Sequence, residues 1–343
     1  MSLIDNLVLG FSTALSFQNL LLCFLGCLIG TLIGVLPGVG PIATIAMLLP
    51  LTFSVDSTGA IIMLAGIYYG AQYGGSTSAI LVNIPGETTS VVTLLDGHQM
   101  ARQGRAGVAL GTAAIASFIA GTIATLVIAA LGLPLSRLAL LFGPADYFSL
   151  MVVGLACSVV LARGSLLKAI AMVLVGLLLA TVGTDLDTGV ERLTFGLPEL
   201  ADGIDFAVLA MGLFGFAEIL KNLAEPEDTD VVRGVIGRLL PSKADFKQAL
   251  GPILRGTFLG ALLGILPGNG AVLGPFAAYA VEKKLAKDPS RFGRGAIEGV
   301  AGPEAANNAG AQTAFIPLLT LGIPPNAVMA LMVGAMTIHG IIP

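Results

Sequence analysis

The stretch that decides the fold is Gly260-Ala-Leu-Leu-Gly-Ile-Leu-Pro-Gly-Asn-Gly270, which stands in the middle of a long apolar run. A near copy, Gly30-Thr-Leu-Ile-Gly-Val-Leu-Pro-Gly-Val-Gly40, occurs 230 residues earlier. Proline removes a backbone donor and glycine accepts a left-handed turn, so Pro-Gly-x-Gly breaks a helix in each copy. Each copy is followed by a stretch rich in glycine, alanine and polar residues that ends in Ile-Pro, at Ile84-Pro85 and at Ile323-Pro324. The sequence therefore predicts an internal duplication.

The composition is typical of a membrane protein. Hydrophobic residues make up 55% of the chain and charged residues 11%, whereas soluble domains carry about 25% charged residues. The mean hydropathy is +0.93, and several apolar runs reach the roughly 20 residues that a helix needs to cross a bilayer. The 45 glycines suit the close packing of membrane helices. We therefore predict an all-α polytopic protein that lies in the lipid bilayer.

The charges on either side of the second break predict its topology. Arg255 precedes the apolar run and Lys283 follows it, and the positive-inside rule places both ends in the cytoplasm. Each arm of about ten to thirteen residues gives roughly 15–20 Å of helix, which reaches the midplane of a bilayer without crossing it. We expect a re-entrant helical hairpin in each copy. An odd number of crossings lies between the two hairpins in this interpretation, so the two repeats are inverted.

This interpretation divides the chain into three parts. The predicted parts are a first repeat at 1–105 (hairpin 17–53, broken span 59–86), connecting transmembrane helices at 106–250 with a cytoplasmic loop at 221–255, and a second repeat at 251–343 (hairpin 256–281, broken span 296–325). Alternating access to a single site between the repeats follows from this arrangement.

The two breaks are the predicted solute site. Bare backbone at membrane depth persists only where it is packed in protein or lines a water-filled cavity. The positive end of a half-helix suits a carboxylate, and exposed carbonyl groups suit Na⁺. Substrate contacts are predicted for Gly38, Gly40, Ser76, Thr77, Ser78, Asn83, Gly86, Asn269, Gly270, Asn307 and Asn308. Coupling of a cation is predicted for Pro37, Gln72, Pro267, Glu304, Gln312 and Thr313.

Structural explanations stay open for several of these residues. A serine or threonine hydroxyl can bond back to its own helix, which would satisfy it without a ligand. Glu304 fits either binding of the coupling ion or a capping role, and Glu87, which follows the break, fits an interfacial position as well as a functional one. His339 stands alone in an apolar helix, so we expect it to pack or to hydrogen-bond and not to bind a metal.

Other classes of protein lack sequence support. HExxH, GxSxG and the Walker lysine do not occur, so we expect no enzyme and no direct use of ATP. No cofactor and no metal site other than one for Na⁺ are predicted. The net charge of −4, with basic residues confined to short loops, argues against a nucleic acid partner. A pore-forming channel and a membrane scaffold without a solute path stay as alternatives to a transporter.

The order of motifs resembles the TctA family, the large membrane subunit of tripartite tricarboxylate transporters. The resemblance is carried by Gly34-Val-Leu-Pro-Gly-Val-Gly40, Tyr69-Gly-Ala-Gln-Tyr-Gly-Gly-Ser-Thr-Ser78, Asn83-Ile-Pro-Gly-Glu87, Met100-Ala-Arg-Gln-Gly104 and Pro303-Glu-Ala-Ala-Asn-Asn-Ala309. It implies a secondary transporter of citrate or another tri- or dicarboxylate in the bacterial inner membrane, driven by a cation gradient, with Na⁺ as the expected ion. It also implies two partners, a small four-helix membrane subunit and a periplasmic solute-binding protein.

Two features depart from the pattern of that family. Its members are longer, so we expect the chain to be truncated where it stops at Pro343. Pro325 occupies the position that corresponds to Gly86 of the first repeat, and proline has no N–H to donate to an anion. The first break is therefore the better predicted cradle for a carboxylate.

Overall fold

The computed structural model describes residues 3–36, 40–139, 141, 143–161, 165–185, 188–204, 237–266 and 270–341. Its helices are α1 (Leu3–Ala14), α2 (Phe17–Gly34), α3 (Pro41–Leu48), α4 (Ser57–Val82), α5 (Val91–Met100), α6 (Ala106–Ala139), α7 (Pro144–Leu161), α8 (Leu166–Ala180), α9 (Lys243–Gly264), α10 (Gly270–Leu285), α11 (Glu298–Thr313), α12 (Phe315–Leu321) and α13 (Ala327–Ile338). Two short antiparallel strands, β1 (Gly183–Thr184) and β2 (Glu191–Arg192), form the β-structure of these ranges. The predicted all-α class is confirmed.

Side-chain caps fix where several helices begin. The Ser16 side chain accepts a hydrogen bond from the backbone N–H of Asn19 at the start of α2, and Asp56 does the same for α4. Ser242 and Asp245 form a reciprocal capping box at the start of α9. Because the first turn of a helix has unpaired N–H groups, these oxygens stabilise each start, typically by about 1 kcal/mol.

Helices end at both predicted breaks. The first break separates α2 from α3, and the second separates α9 from α10. Pro37, Gly38, Pro267 and Asn269 lie outside the described residues, so their predicted roles stay predictions. Across the second break the Arg255 guanidinium donates to both carboxylate oxygens of Glu282, at 2.7 and 2.6 Å. This bidentate pair joins α9 to α10, so the chain folds back on itself at the break.

Glycines bring two pairs of helices into backbone contact. In α2 a Cβ added to Gly26, Gly30 or Gly34 would lie 2.2–2.4 Å from a carbonyl oxygen of Met63, Ile67 or Ala71 of α4. In α9 a Cβ added to Gly256, Gly260 or Gly264 would lie 2.1–2.3 Å from a carbonyl oxygen of Gly302, Ala306 or Gly310 of α11. Contacts that advance by four residues on both partners describe parallel helices with small residues at their interface. The same spacing of contacts therefore occurs in the α2–α4 pair and in the α9–α11 pair.

The turns that follow these pairs also match. Asn83 ends α4 in the left-handed conformation at φ 61°, and Gly322 ends α12 in the same way at φ 65°. Each is followed by Ile-Pro and then by an extended residue, Glu87 at φ −148° or Asn326 at φ −154°, that begins the next helical segment. The matching backbone angles show that the chain turns in the same way around Ile84-Pro85 and around Ile323-Pro324.

The surface of the helices is apolar where it is not packed. Among the residues that the structure describes, two helical stretches, Phe17–Gly34 and Thr88–Gly132, are long and apolar enough to cross a membrane. Helix α8 has no buried residue, and Leu167 on it is 77% exposed. Large apolar side chains on an unpacked helix face are expected where lipid is the solvent. Residues 205–236, which belong to the predicted connecting helices and cytoplasmic loop, lie outside the described residues.

Candidate functional site

The candidate site lies where α4 crosses α11. Gln72 of α4 donates to Asn307 of α11 at 3.1 Å, and Ser76 of α4 donates to Glu304 of α11 at 2.9 and 3.0 Å. As the numbering rises along α4 it falls along α11, so the two helices are antiparallel at this crossing. Residues one turn apart on a helix face the same side. The crossing therefore carries two neighbouring rungs, a Ser76–Glu304 rung and a Gln72–Asn307 rung.

Glu304 is fully buried in a cage of hydroxyl groups. Besides Ser76, the carboxylate accepts from Thr93 of α5 at 2.9 Å and from Ser117 of α6 at 3.3 Å. Hydrogen bonds to an ionised group are stronger than bonds between neutral groups and replace part of its lost hydration. Three helices thus supply the donors that hold one acid at the centre of the protein.

Glu87 brings a second carboxylate to the same crossing from the turn that follows α4. It is 8% exposed, and its side chain accepts from Thr89, from the backbone N–H of Ser90 and, at 3.4 Å, from Asn307. The bond from the Ser90 N–H, together with the bond that the Glu87 N–H donates to the Ser90 hydroxyl, closes a capping box that starts the helical segment after the break. The sequence left an interfacial position open for Glu87, and the structure buries it beside Asn307 instead.

Neither acid has a basic partner in the part of the chain that the structure describes. The ion pairs there are Arg105–Asp245, Arg192–Asp185, Arg255–Glu282 and Arg291–Glu298. A buried charge without an opposite charge is costly even when it is hydrogen-bonded. Two such acids in one cluster also repel each other. The arrangement therefore favours a positive ligand and disfavours an anion at this crossing.

One acceptor of the cluster has no donor. The Oε1 atom of Gln72 is buried, the residue is 1% exposed, and this oxygen has no hydrogen-bond partner. Leaving a buried carbonyl oxygen unpaired costs about 1–3 kcal/mol. The Gln72–Asn307 rung is thus polar, buried and incompletely satisfied.

Several predicted site residues bond to the protein itself. Thr77, Ser78 and Thr313 donate to carbonyl groups of their own helices, at 2.9, 2.9 and 3.1 Å. Asn308 donates to Ser117 at 2.7 Å and to the Glu304 carbonyl at 3.0 Å, and Gln312 donates to Thr125 at 2.7 Å. Their roles in solute or ion binding stay predictions. Thr93, Ser117 and Thr125 were missed, because isolated hydroxyls in alanine-rich helices resemble residues that bond to their own backbone.

The glycines of the breaks lie next to the crossing. A Cβ on Gly86 would lie 2.5 Å from the Gly34 carbonyl oxygen, so the turn that carries Glu87 packs on the end of α2. A Cβ on Gly40 would lie 4.0 Å from the Gly86 carbonyl oxygen, whereas one on Gly270 would lie 2.0 Å from that of Leu263. The start of α3 therefore faces the Gly86 turn, and the start of α10 is closed against α9. Asn83 supplies the left-handed turn that leads to Gly86.

Other places in the described structure have fewer features of a binding site. Within the described ranges no three His, Cys, Asp or Glu residues come together as metal ligands. A cavity of about 390 Å³ has Arg105, Arg291 and Arg294 in its wall, but two of these arginines already pair with acids. His339 hydrogen-bonds to Thr52 at 3.1 Å, which is the structural role expected for it.

Comparison with known proteins places the chain in a family. The family model described as tripartite tricarboxylate transporter TctA family matches residues 20–343. The chain is 60% identical over its 343 residues to the "Uncharacterized 52.8 kDa protein in TAR-I ttuC' 3'region" of Agrobacterium vitis and covers 68% of that protein. It is 69% identical over 84 residues, 24% of the chain, to the "Uncharacterized protein in TAR-II ttuC' 3'region" of the same organism, and covers 35% of it. No solved structure matches. The chain belongs to the tripartite tricarboxylate transporter TctA family.

Proposed function

We propose that the chain is the transport subunit of a secondary active carrier that imports small carboxylates, citrate or another tri- or dicarboxylate, at the expense of a cation gradient. Membership of the TctA family supports the class of transporter. The observation that carries the proposal is the buried α4–α11 crossing, where Glu87 and Glu304 lie without a basic partner among the described residues. Ionisable residues at membrane depth are rare, and many of those that occur line substrate or ion pathways.

The proposed architecture is a pair of inverted repeats, each with a re-entrant hairpin. Three observations support it. The equivalent helices α4 and α11 are antiparallel at their crossing, as an inversion requires. The glycine contacts and the left-handed turns match between the two halves. The Arg255–Glu282 pair holds the middle of α9 beside the last turn of α10, as expected for two helices that fold back on each other as a hairpin.

The proposed solute position is the Gly40–Gly86 break and not the acidic crossing itself. The two carboxylates would repel an anionic solute. Backbone N–H groups at the start of a helix instead attract a carboxylate. Gly40 precedes α3, and Pro41 at its first position is compatible with that start. Because Gly86 adjoins Glu87, solute and cation would lie close together, which is the arrangement that coupling needs.

The proposed setting follows the family. We place the chain as a multi-pass protein of the bacterial inner membrane, working with a small four-helix membrane subunit and a periplasmic solute-binding protein. Exposed apolar faces such as that of α8 would contact lipid or the small subunit. A carrier of this type binds its solute at one site that opens to each side in turn.

Uptake by proteoliposomes tests the proposal. The protein, reconstituted with its partner subunits, is given radiolabelled citrate and a panel of other carboxylates with and without an inward Na⁺ gradient. A carrier gives saturable uptake that the gradient drives, whereas a channel gives flux that does not saturate. Asn307→Ala and Ser76→Ala should abolish uptake, and Thr122→Ala, whose hydroxyl bonds only to its own helix, should not. Full uptake by the first two variants would support a scaffold and refute the proposal.

A further inference from the structure

The two rungs of the crossing differ in how many hydrogen bonds their oxygen atoms accept. The Glu304 carboxylate accepts four contacts from three hydroxyl groups, on Ser76, Thr93 and Ser117. The Gln72–Asn307 rung has a long contact of 3.4 Å to Glu87 and an unpaired oxygen on Gln72. Unused capacity to bind a positive group is therefore concentrated on the second rung.

The ligand atoms available there select a particular kind of ion. The rung offers one carboxylate and two amide oxygens, on Glu87, Gln72 and Asn307, and no imidazole or thiolate. Oxygen-only sites suit hard cations such as Na⁺, Mg²⁺ and Ca²⁺ and not transition metals. A single carboxylate balances one positive charge, and Mg²⁺ gives up its water reluctantly. A monovalent, dehydrated ion fits this set best.

A proton provides a partner for fewer of the acceptor oxygens on this rung than a metal ion does. Protonation of Glu87 creates one O–H donor, which can serve one acceptor. A cation attracts all neighbouring oxygens at once and so pairs the Gln72 oxygen while it neutralises the carboxylate. Resting on the proposed function above, we propose that Gln72, Glu87 and Asn307 form the binding site of the coupling ion, one dehydrated Na⁺, on the second rung of the α4–α11 crossing.

The position of this site gives it a route to the solute. Gln72 and Glu87 belong to the first repeat and Asn307 to the second, so a bound ion draws the two repeats together. Glu87 follows Gly86, which packs on the end of α2 and faces Gly40. An ion that orders Glu87 therefore orders the turn beside the proposed solute position. Linkage requires that the solute tightens ion binding by the same factor as the ion tightens solute binding.

Direct binding of ²²Na⁺ to the purified protein tests the site without any solute. Gln72→Met keeps the length of the side chain and removes the amide oxygen and nitrogen, and Glu87→Gln keeps the shape and removes the charge. Gln248→Met is the matched control, because Gln248 also donates to a carboxylate, that of Glu298, but lies outside the crossing. We expect Gln72→Met and Glu87→Gln each to raise the Kd for Na⁺ at least tenfold, and Gln248→Met to leave it unchanged.

Thermal unfolding distinguishes a variant that has lost the Na⁺ site from one that does not fold. NaCl should raise the Tm of the wild type and of Gln248→Met relative to choline chloride, because an ion that binds only the folded state stabilises it. This Na⁺-dependent rise should vanish in the two site variants even where their Tm in choline chloride is normal. A rise of wild-type size in both of them would refute the site.

Failure of this inference can be told apart from failure of the proposed function. Carboxylate uptake that is driven by a proton gradient, together with no ²²Na⁺ binding by the wild type, overturns the Na⁺ site and leaves the carrier in place. Saturable ²²Na⁺ binding that depends on Gln72 and Glu87, without uptake of any carboxylate, supports the site and overturns the carrier. Wild-type ²²Na⁺ affinity in both variants also overturns the site.

Discussion

A methyl group at the centre of either glycine interface should separate the helices. In Gly30→Ala the new Cβ would lie 2.2 Å from the Ile67 carbonyl oxygen and 2.8 Å from its Cα. Ordinary contact begins at 3.4 Å, so α2 and α4 must part by about 1.2 Å, the difference between 3.4 and 2.2 Å. A gap of 0.5–1 Å already forfeits a quarter to a half of the dispersion attraction of the atoms that line it.

The expected cost is at the upper end of the range for overpacking, about 3 kcal/mol, because the obstacle is backbone and cannot rotate away. Membrane helices associate through packing and not through the hydrophobic effect, so nothing compensates for the lost contact. Gly260→Ala should cost a similar amount, since its Cβ would lie 2.1 Å from the Ala306 carbonyl oxygen. Both variants should lower the Tm of the detergent-solubilised protein.

Gly121→Ala is the matched control. Gly121 lies within α6, and a Cβ there meets nothing within 4 Å. This variant should unfold at or slightly above the wild-type temperature, because alanine favours a helix over glycine by about 1 kcal/mol. Equal unfolding temperatures for Gly30→Ala, Gly260→Ala and Gly121→Ala would refute the argument that backbone contact sets the approach of the helices.

Three further outcomes are expected. Glu282→Ala should destabilise the protein less than Arg255→Ala. Loss of Arg255 leaves the Glu282 carboxylate, which is 3% exposed, without its partner, and this costs about 3–5 kcal/mol. Equal losses of Tm in the two variants would contradict this prediction. Asp96→Asn should lower the Tm, because the Asp96 carboxylate accepts from Tyr279 and from two backbone N–H groups, each bond contributing about 1.5–3 kcal/mol; an unchanged Tm would contradict it. Ser242, assisted by Arg105 and opposed by partial burial, holds the pKa of Asp245 below its ordinary value of 3.8, so the stability that Asp245 adds should be complete above about pH 4 and lost as the pH falls through its lowered pKa.

Thermal unfolding over pH 3 to 6 checks the last of these predictions. The wild type should exceed Asp245→Asn in Tm near pH 6, and the difference should shrink as the pH falls below about 4. A difference that grows on acidification would show that the carboxylate opposes folding. Asp288→Asn offers a comparison, because hydrogen bonds from Ser290 also lower the pKa of Asp288, but Asp288 caps only the three-residue 3-10 helix Pro289–Arg291.

Several residues of the site could be predicted from the sequence, because a polar residue inside an apolar stretch is recognised from its sequence neighbours alone. Asn307, Ser76 and Glu304 stood out as polar residues inside apolar stretches, and the structure brings all three to the α4–α11 crossing. For Glu87 both an interfacial and a functional position stayed open, because the sequence does not show how deeply a residue just after a helix break is buried. Thr93 and Ser117 could not be found, since their importance comes from a carboxylate more than 180 residues away.

The sequence by itself determined the class of protein, the two helix breaks and the duplication. Composition fixes the solvent in which the chain is stable, and Pro-Gly-x-Gly removes helical hydrogen bonds wherever it stands. Only the tertiary structure decided that α4 and α11 cross antiparallel, that both acids share one buried cluster and that the Gln72 oxygen lacks a donor. These facts depend on which helix faces meet. Glycines at 26, 30 and 34 and at 256, 260 and 264 permit that meeting, but the partner of each face lies too far along the chain for local chemistry to specify.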